Sequence, residues 1–174
     1  MPFFHIFKYF CNCAKRLRFN IFKSKETAKH KENQYNYWAY YTIANETDKY
    51  VTYQSYIVEE TGGIHANYYR PFITIAKNDG HIVRSALRDG VNVSYFPHII
   101  RKGLTRFYQQ KYNELLLDTN DIKFPRYAPA LVGDSIAFQY DRYDGYGLDM
   151  PEFRIHVDEL RPYLSDEILL WIEK

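Results

Sequence analysis

Apolar and polar positions alternate along much of the chain, and this alternation predicts short β-strands separated by turns. The predicted strands are rich in aromatic and β-branched side chains, which favour a pleated, half-buried surface. They cover residues 35–43, 50–59, 67–76, 81–85, 135–140 and 152–157. Pro71 lies inside the third of them and indicates a sheet edge or a β-bulge, because proline has no N–H to donate to a ladder.

The periodicity changes to that of a helix between about residues 95 and 117. Apolar side chains recur there at spacings of three and four, namely Phe96, Ile99, Ile100, Leu104, Phe107 and Tyr108. Ser165 is predicted to cap a shorter helix at residues 165–172, since a serine hydroxyl accepts from the free N–H groups of a first turn. The order of elements predicts an α+β fold, with an antiparallel sheet packed by one long central helix and a short C-terminal helix.

Charge divides the chain into two regions. Residues 1–31 carry eight lysines and arginines and one acid, a net charge of +7, whereas the remaining residues carry 15 bases and 20 acids, a net charge of −5. With the polar segment 24–34 as a linker, we predict a basic tail and linker at residues 1–34 and one domain at residues 35–174. The acidic domain argues against nucleic acid as a partner, because nucleic-acid binding requires a basic face.

The basic tail lacks the pattern of a clean signal peptide. Lys8 interrupts its apolar part early, and no span approaches the roughly 20 apolar residues of a membrane helix. Three interpretations stay open for residues 1–25: a helix that contacts a membrane surface, a disordered tail, or a wrongly assigned start codon. Cys11 and Cys13 lie too close together for an unstrained disulfide and lack companion metal ligands, so we interpret them as incidental thiols.

Several motifs resemble, in their order and spacing, a known domain family. The segment TGGIHAN at residues 61–67 follows a tyrosine-rich strand, and residues 72–83 form a strand, a turn and a second strand. The segment FRIHV at residues 153–157 leads into LRPYL at residues 160–164. Together these segments resemble the domain of unknown function at the C-terminal end of the lysozyme-sensing anti-sigma factor RsiV. The same domain occurs with the peptidoglycan deacetylase PdaC and in many lipoproteins of Bacteroidetes.

The resemblance covers about residues 38–171 and departs from the family at several positions. Ile64 and Ala66 stand where the family has alanine and usually glycine, and the loop that begins at residue 141 differs in sequence. The resemblance implies a protein of the cell envelope, or a secreted one. Lysozyme binding belongs to one branch of that family.

The turn formed by Gly62 and Gly63, followed by His65, is the most site-like feature of the sequence. Adjacent glycines permit a positive φ or a close backbone approach. A histidine beside such a turn suits a general base or a metal ligand. We favour a structural interpretation, in which the glycines form a bend and His65 ties the loop to the sheet by hydrogen bonds.

The candidate ligand-binding residues come from this turn and from a tyrosine-rich loop, since tyrosine gives contact area at low entropic cost. They are His65, Asn67, Tyr140, Tyr143 and Tyr146. Asp141, Asp144 and Asp149 of the same loop lack the spacing of a calcium loop, and we interpret it as solvated. No nucleophile motif, paired-histidine motif or dinucleotide-binding loop occurs, so we predict no catalytic residue, metal or cofactor.

The leading hypothesis is a non-catalytic binding or sensing module of the cell envelope, with a protein or a glycan as its ligand. It depends on the resemblance and on the missing catalytic motifs. Two alternatives stay open. One is a cell-wall hydrolase, or an accessory domain of such an enzyme, that uses His65. The other is a structural envelope protein without a discrete ligand.

Overall fold

A computed structural model describes residues 17–20, 36–60, 66–91, 93–112, 123–142, 144 and 149–173 of the chain, with the backbone alone at 17–20, 93 and 109–112. Within these ranges the strands form two antiparallel sheets, and three helices accompany them. None of the described helices is long and apolar enough to cross a membrane.

The larger sheet is built around a long hairpin. Its strands are β1 Leu17–Asn20, β2 Asn36–Glu46, β3 Tyr50–Glu60, β4 Asn67–Tyr69, β5 Phe72–Ala76 and β6 Ile82–Val83. The order across the sheet is β1-β2-β3-β5-β6, and β4 also pairs with β3. Thr47 closes the β2–β3 connection, because its hydroxyl oxygen accepts from the backbone N–H groups of Lys49 and Tyr50, both at 3.2 Å.

Pro71 interrupts the strand that pairs with β3. Arg70 and Pro71 separate β4 from β5, and both of these strands pair with β3. The Pro71 carbonyl accepts from the N–H of Ser55 at 3.0 Å and from its hydroxyl at 2.6 Å. Since Ser55 is fully buried, this carbonyl satisfies both of its donors. The single strand predicted over residues 67–76 is therefore divided into β4 and β5 at the position where proline indicated an edge or a bulge.

The smaller sheet contains three strands in the order β7-β8-β9. They are β7 Ala130–Val132, β8 Ser135–Gln139 and β9 Glu152–His156. Gly133 and Asp134 make the tight turn between β7 and β8, and Gly133 adopts a φ of +68°, which a residue without a Cβ tolerates.

The helices are α1 Pro97–Tyr112, α2 Val157–Leu160 and α3 Asp166–Ile172. Helix α1 packs against β9, and a Cβ atom added at Gly103 would overlap the ring of Phe153. This glycine therefore permits a close approach of helix and strand. The predicted N-cap of α3 is confirmed, because the Ser165 hydroxyl accepts from the N–H of Ile168 at 3.4 Å.

The smaller sheet lies between the larger sheet and helix α1. Small side chains of β7 and β8 face the larger sheet and pack around Phe72. The opposite face carries large apolar side chains, including Ile136 and Phe138, which pack with Phe96 and other residues of the α1 region. The main hydrophobic core therefore lies between the smaller sheet and the helices.

The predicted architecture, an antiparallel sheet packed by one long central helix, is wrong. The described residues are mostly β and form two sheets, and the helices are short. The physical reason lies in β8, which is buried on both faces and therefore forms a middle layer instead of extending the first sheet. Alternation within a strand indicates one buried face, but it does not indicate which sheet the strand joins.

Candidate functional site

The residues singled out from the sequence lie in different surroundings. Gly62, Gly63, His65, Tyr143 and Tyr146 lie outside the described residues. The two others lie apart: Asn67 is in β4 of the larger sheet, and Tyr140 directly follows β8 of the smaller sheet.

Asn67 and Tyr140 are the two described members of that set. Asn67 is half-buried at the start of β4. Tyr140 follows β8 and is fully buried, with its ring 6.1 Å from that of Phe153. Its hydroxyl donates to the carbonyl of Lys123 at 2.8 Å, so it satisfies a buried polar group in the manner expected of a core tyrosine. The ring of Tyr140 offers no surface to a ligand in this structure.

The acidic loop after β8 is not solvated at its first two carboxylates, contrary to the interpretation from sequence. Asp141 and Asp144 are both buried. The Asp144 carboxylate accepts from the N–H of Asp141 at 2.7 Å and from the N–H of Arg126 at 3.3 Å. Burial, followed by the nearby Asp141 carboxylate, raises the pKa of Tyr127. The two hydrogen bonds that the Asp144 carboxylate accepts therefore join it to Asp141 and to the segment of Arg126.

Three tyrosines form an exposed row on the larger sheet, which we call the tyrosine row: Tyr40, Tyr56 and Tyr68. Their exposed fractions are 40%, 39% and 38%. The ring centroids of Tyr40 and Tyr56 are 6.3 Å apart with planes tilted by 40°, and those of Tyr56 and Tyr68 are 6.4 Å apart with a tilt of 51°. Three separate strands, β2, β3 and β4, thus contribute one aromatic surface.

The register of the sheet brings the tyrosine row together. Tyr40 pairs with Tyr56 across β2 and β3, and Tyr68 pairs with Val58, two residues along the same face of β3. Directly opposed side chains in an antiparallel pair lie on the same face and in contact range. The sequence contains a signal for this, since tyrosines recur at strand spacing in three predicted strands. The register was needed to align them.

The tyrosine row lies on the same face of the larger sheet as the smaller sheet does. Thr52, Gln54 and Tyr56 alternate along β3 and therefore share this face. The Thr52 hydroxyl donates to the Leu131 carbonyl of β7 at 2.7 Å, and the Gln54 amide donates to the Glu152 carboxylate of β9 at 3.1 Å. The contacts with the smaller sheet reach Gln54. Tyr56 lies beyond them, which leaves its ring open to solvent.

A histidine links the larger sheet to the C-terminal helix. His81 Nδ1 lies 2.6 Å from Asp79 Oδ1, and His81 Nε2 lies 2.9 Å from Glu167 Oε1. Hydrogen bonds to Asp79 and then to Glu167 raise the pKa of His81 above its ordinary value of 6.5. Lys49 supports the same helix by donating to the carbonyls of Leu170 at 3.1 Å and Trp171 at 3.3 Å.

The tyrosine row is the contact surface that the described ranges offer. No group of three or more His, Cys, Asp or Glu side chains there is arranged to hold a metal ion. The tyrosine row offers rings and hydroxyl groups, which supply apolar area and hydrogen bonds to a ligand surface. The best-supported candidate site in the described part of the chain is therefore a binding surface.

Comparison with known proteins identifies the fold. No protein-family model matches the sequence, and no curated protein matches it. Among solved structures, the fold is similar to the crystal structure of a DUF3298 family protein from Pseudomonas aeruginosa PAO1, with a TM-score of 0.57. The two sequences are 17% identical, and the match covers 77% of this chain and 64% of that chain. This likeness shows the fold alone.

Proposed function

We propose that this chain is a non-catalytic binding module of the cell envelope, and that the tyrosine row contacts its ligand. The observation that carries the proposal is the exposure of three neighbouring aromatic side chains on one sheet face. Aromatic residues dominate the energetics of many interfaces, and an exposed aromatic cluster of a soluble domain marks an interaction surface.

The geometry of the tyrosine row favours a protein over a glycan as the ligand. Successive rings are tilted by 40° and 51°, so the surface is corrugated instead of forming one flat platform. A corrugated surface fits between the side chains of a protein, whereas stacking of successive sugar rings is better served by coplanar rings. A glycan is the competing ligand.

The envelope location in this proposal rests on the sequence motifs that resemble the RsiV-type family. The fold likeness to a DUF3298 protein is compatible with that resemblance and adds no ligand. Lysozyme is a suitable first protein probe because one branch of the resembled family binds it. Soluble peptidoglycan fragments are the matching glycan probe.

A triple variant tests the proposal. Tyr40→Thr, Tyr56→Thr and Tyr68→Thr together remove the rings while keeping residues that favour strands. We expect the wild type to retain either lysozyme or a protein from an envelope extract on an affinity column, and we expect the triple variant to bind it at least about tenfold more weakly. The matched control is Tyr37→Thr, because Tyr37 is 38% exposed on the opposite face of β2.

Each result of this experiment has a defined meaning. Equal binding by the wild type and a folded triple variant would remove the tyrosine row from the proposal. Retention of peptidoglycan fragments in place of proteins, lost in the triple variant, would change the ligand class to a glycan. Weaker binding by the Tyr37→Thr control as well would indicate a general effect of the substitutions on the sheet.

A further inference from the structure

Strand β9 presents an open edge in the part of the chain that the structure describes. It pairs with β8 on one side, and no described strand pairs with its other side. Open sheet edges carry unpaired N–H and C=O groups, which are ready to pair with an added strand. The edge of β9 is therefore a place where main-chain hydrogen bonds are available to a partner.

The register identifies which residues of β9 direct their backbone outward. The N–H of Tyr140 donates to the carbonyl of Pro151 at 2.9 Å, and the N–H of Val157 donates to the carbonyl of Asp134 at 2.9 Å. Hydrogen-bonded pairs alternate with non-hydrogen-bonded pairs in an antiparallel ladder, so Phe153 and Ile155 also face β8. Arg154, between them, directs its N–H and C=O away from β8.

A groove of about 310 Å³ lies beside this open edge, between β9 and helix α1. Its apolar wall includes Ile99, Phe107 and Phe153. Gly103 lines it as well, and the absence of a side chain at this position allows the helix to lie close to the strand. The groove is therefore large enough for one or two apolar side chains of a segment that runs along β9.

The charges around the groove favour an acidic ligand. Three cations line it, Lys102, Arg106 and Arg154, together with two acids. Lys102 pairs with Glu159 at 3.6 Å, and Arg154 pairs with Glu152 at 3.8 Å. Arg106 is exposed and has no ion pair or hydrogen bond with the described residues, so its guanidinium is available to a carboxylate.

We propose that an extended, acidic peptide segment of a partner protein adds to β9 as a fourth strand of the smaller sheet. Its backbone pairs with Arg154, its apolar side chains enter the groove, and one of its carboxylates binds Arg106. This is recognition by strand addition, in which main-chain hydrogen bonds supply affinity and side-chain pockets supply specificity. The site belongs to the smaller sheet and is independent of the tyrosine row.

A second copy of the chain fits this edge less well than an acidic peptide does. Antiparallel pairing of two β9 strands centred on their middle residue would place Arg154 opposite Arg154. Like charges directly opposite each other destabilise a strand pair. An acidic peptide avoids this opposition of two Arg154 side chains and supplies a carboxylate to Arg106.

A designed peptide pair tests this proposal on the full chain. The probe is a capped peptide of about seven residues with valine, valine, glutamate and valine at alternate positions and threonine between them, so that the valines and the glutamate share one face. Its control has lysine in place of the glutamate. We expect the glutamate peptide to bind at millimolar or better affinity, and the lysine peptide to bind at least about tenfold more weakly. On binding of the glutamate peptide, hydrogen exchange at the Arg154 amide should slow, because that N–H becomes paired.

Two variants separate the groove from general charge effects. Arg106→Glu reverses the free cation and should weaken binding of the glutamate peptide at least about tenfold. Arg88→Glu, the same charge reversal at an exposed arginine away from the groove, is the matched control and should leave binding unchanged. Lack of binding by the glutamate peptide, binding without protection of the Arg154 amide, or self-association through β9 would each overturn the proposal.

Discussion

The two sheets of this protein differ in what they bury and in what they expose. The smaller sheet carries large apolar side chains on the face toward α1, and the fully buried Ile136 and Phe138 lie there. The larger sheet buries polar side chains, including Thr52, Ser55 and Thr74, and exposes tyrosines. Apolar burial supplies most of the free energy of folding, whereas buried hydroxyls contribute chiefly by being satisfied.

This difference indicates that the two sheets contribute unequally to the stability of the fold. The smaller sheet and the helices form the stable centre, because most of the large buried apolar side chains meet there. The larger sheet joins that centre through Phe72, which packs against small side chains of the smaller sheet, and through a few hydrogen bonds, so the far part of its face stays free. A surface that contributes little to the core tolerates change, and such surfaces are suited to binding.

Phe138→Ala tests the comparison most strongly. Phe138 is fully buried, and its ring stacks on that of Phe153 at 5.3 Å between centroids. We expect its removal to lower the free energy of unfolding by about 3–5 kcal/mol, because a cavity remains in the main core. Chemical denaturation measures the change. Tyr68→Ala, on the larger sheet, is the comparison and should cost about 1 kcal/mol or less.

Equal losses in these two variants would contradict the division between the sheets. The comparison is direct, since each substitution removes one aromatic ring from a β-strand, Phe138 from β8 and Tyr68 from β4. The two rings differ in burial, and tyrosine also carries a hydroxyl that phenylalanine lacks.

Thr52→Val tests the contact between the two sheets. The Thr52 hydroxyl donates to the Leu131 carbonyl at 2.7 Å and lies 2.9 Å from the Thr74 hydroxyl. Valine keeps the shape of the side chain but leaves both buried partners unsatisfied, so we expect a loss of about 1–3 kcal/mol in the free energy of unfolding. Thr42→Val, at an exposed position of β2, should change it by about 0.5 kcal/mol or less.

The double variant Thr52→Val with Thr74→Val sharpens this prediction. If the two hydroxyls act as one network, the double variant should lose less stability than the sum of the two single variants, because fewer buried polar groups remain unpaired. Strict additivity would show that the hydroxyls act independently.

His81→Gln gives the smallest expected effect, and pH reveals it. Since the pKa of His81 is raised in the folded protein, the charged histidine stabilises the fold below its ordinary value of 6.5. That stabilisation is lost as the pH rises through the raised value. Melting temperatures are measured between about pH 5.5 and about pH 9. The wild type should melt at a higher temperature than His81→Gln at the acid end, and the two melting temperatures should converge toward the alkaline end.

The matched control for this prediction is His98→Gln, because His98 is exposed on α1 and has no carboxylate partner among the described residues. Its melting temperature should follow that of the wild type across the pH range. A gap between the wild type and His81→Gln that does not change with pH would show that His81 acts by packing alone.

Local patterns predicted many elements of the fold but not their assembly. The irregularity at Pro71 and the cap at Ser165 depend on the chemistry of one residue and its neighbours along the chain, so local sequence was enough to predict both. The candidate site was harder to predict. Tyr140 was chosen from a tyrosine-rich stretch, yet its position after β8 places it in the core. The tyrosine row depends on pairing between three strands, which the sequence does not specify.

Local sequence patterns predicted most of the described strands and helices, because periodicity, turn residues and caps act over a few positions. They did not predict β1 Leu17–Asn20 or β7 Ala130–Val132. Tertiary structure alone decided that these strands form two sheets, since pairing partners and layer order depend on contacts between distant segments. It also decided the role of Gly103, which sequence patterns treat as a weak point in a helix and which the fold uses to bring α1 against Phe153. The same long-range contacts bury Tyr140 and leave Tyr40, Tyr56 and Tyr68 exposed.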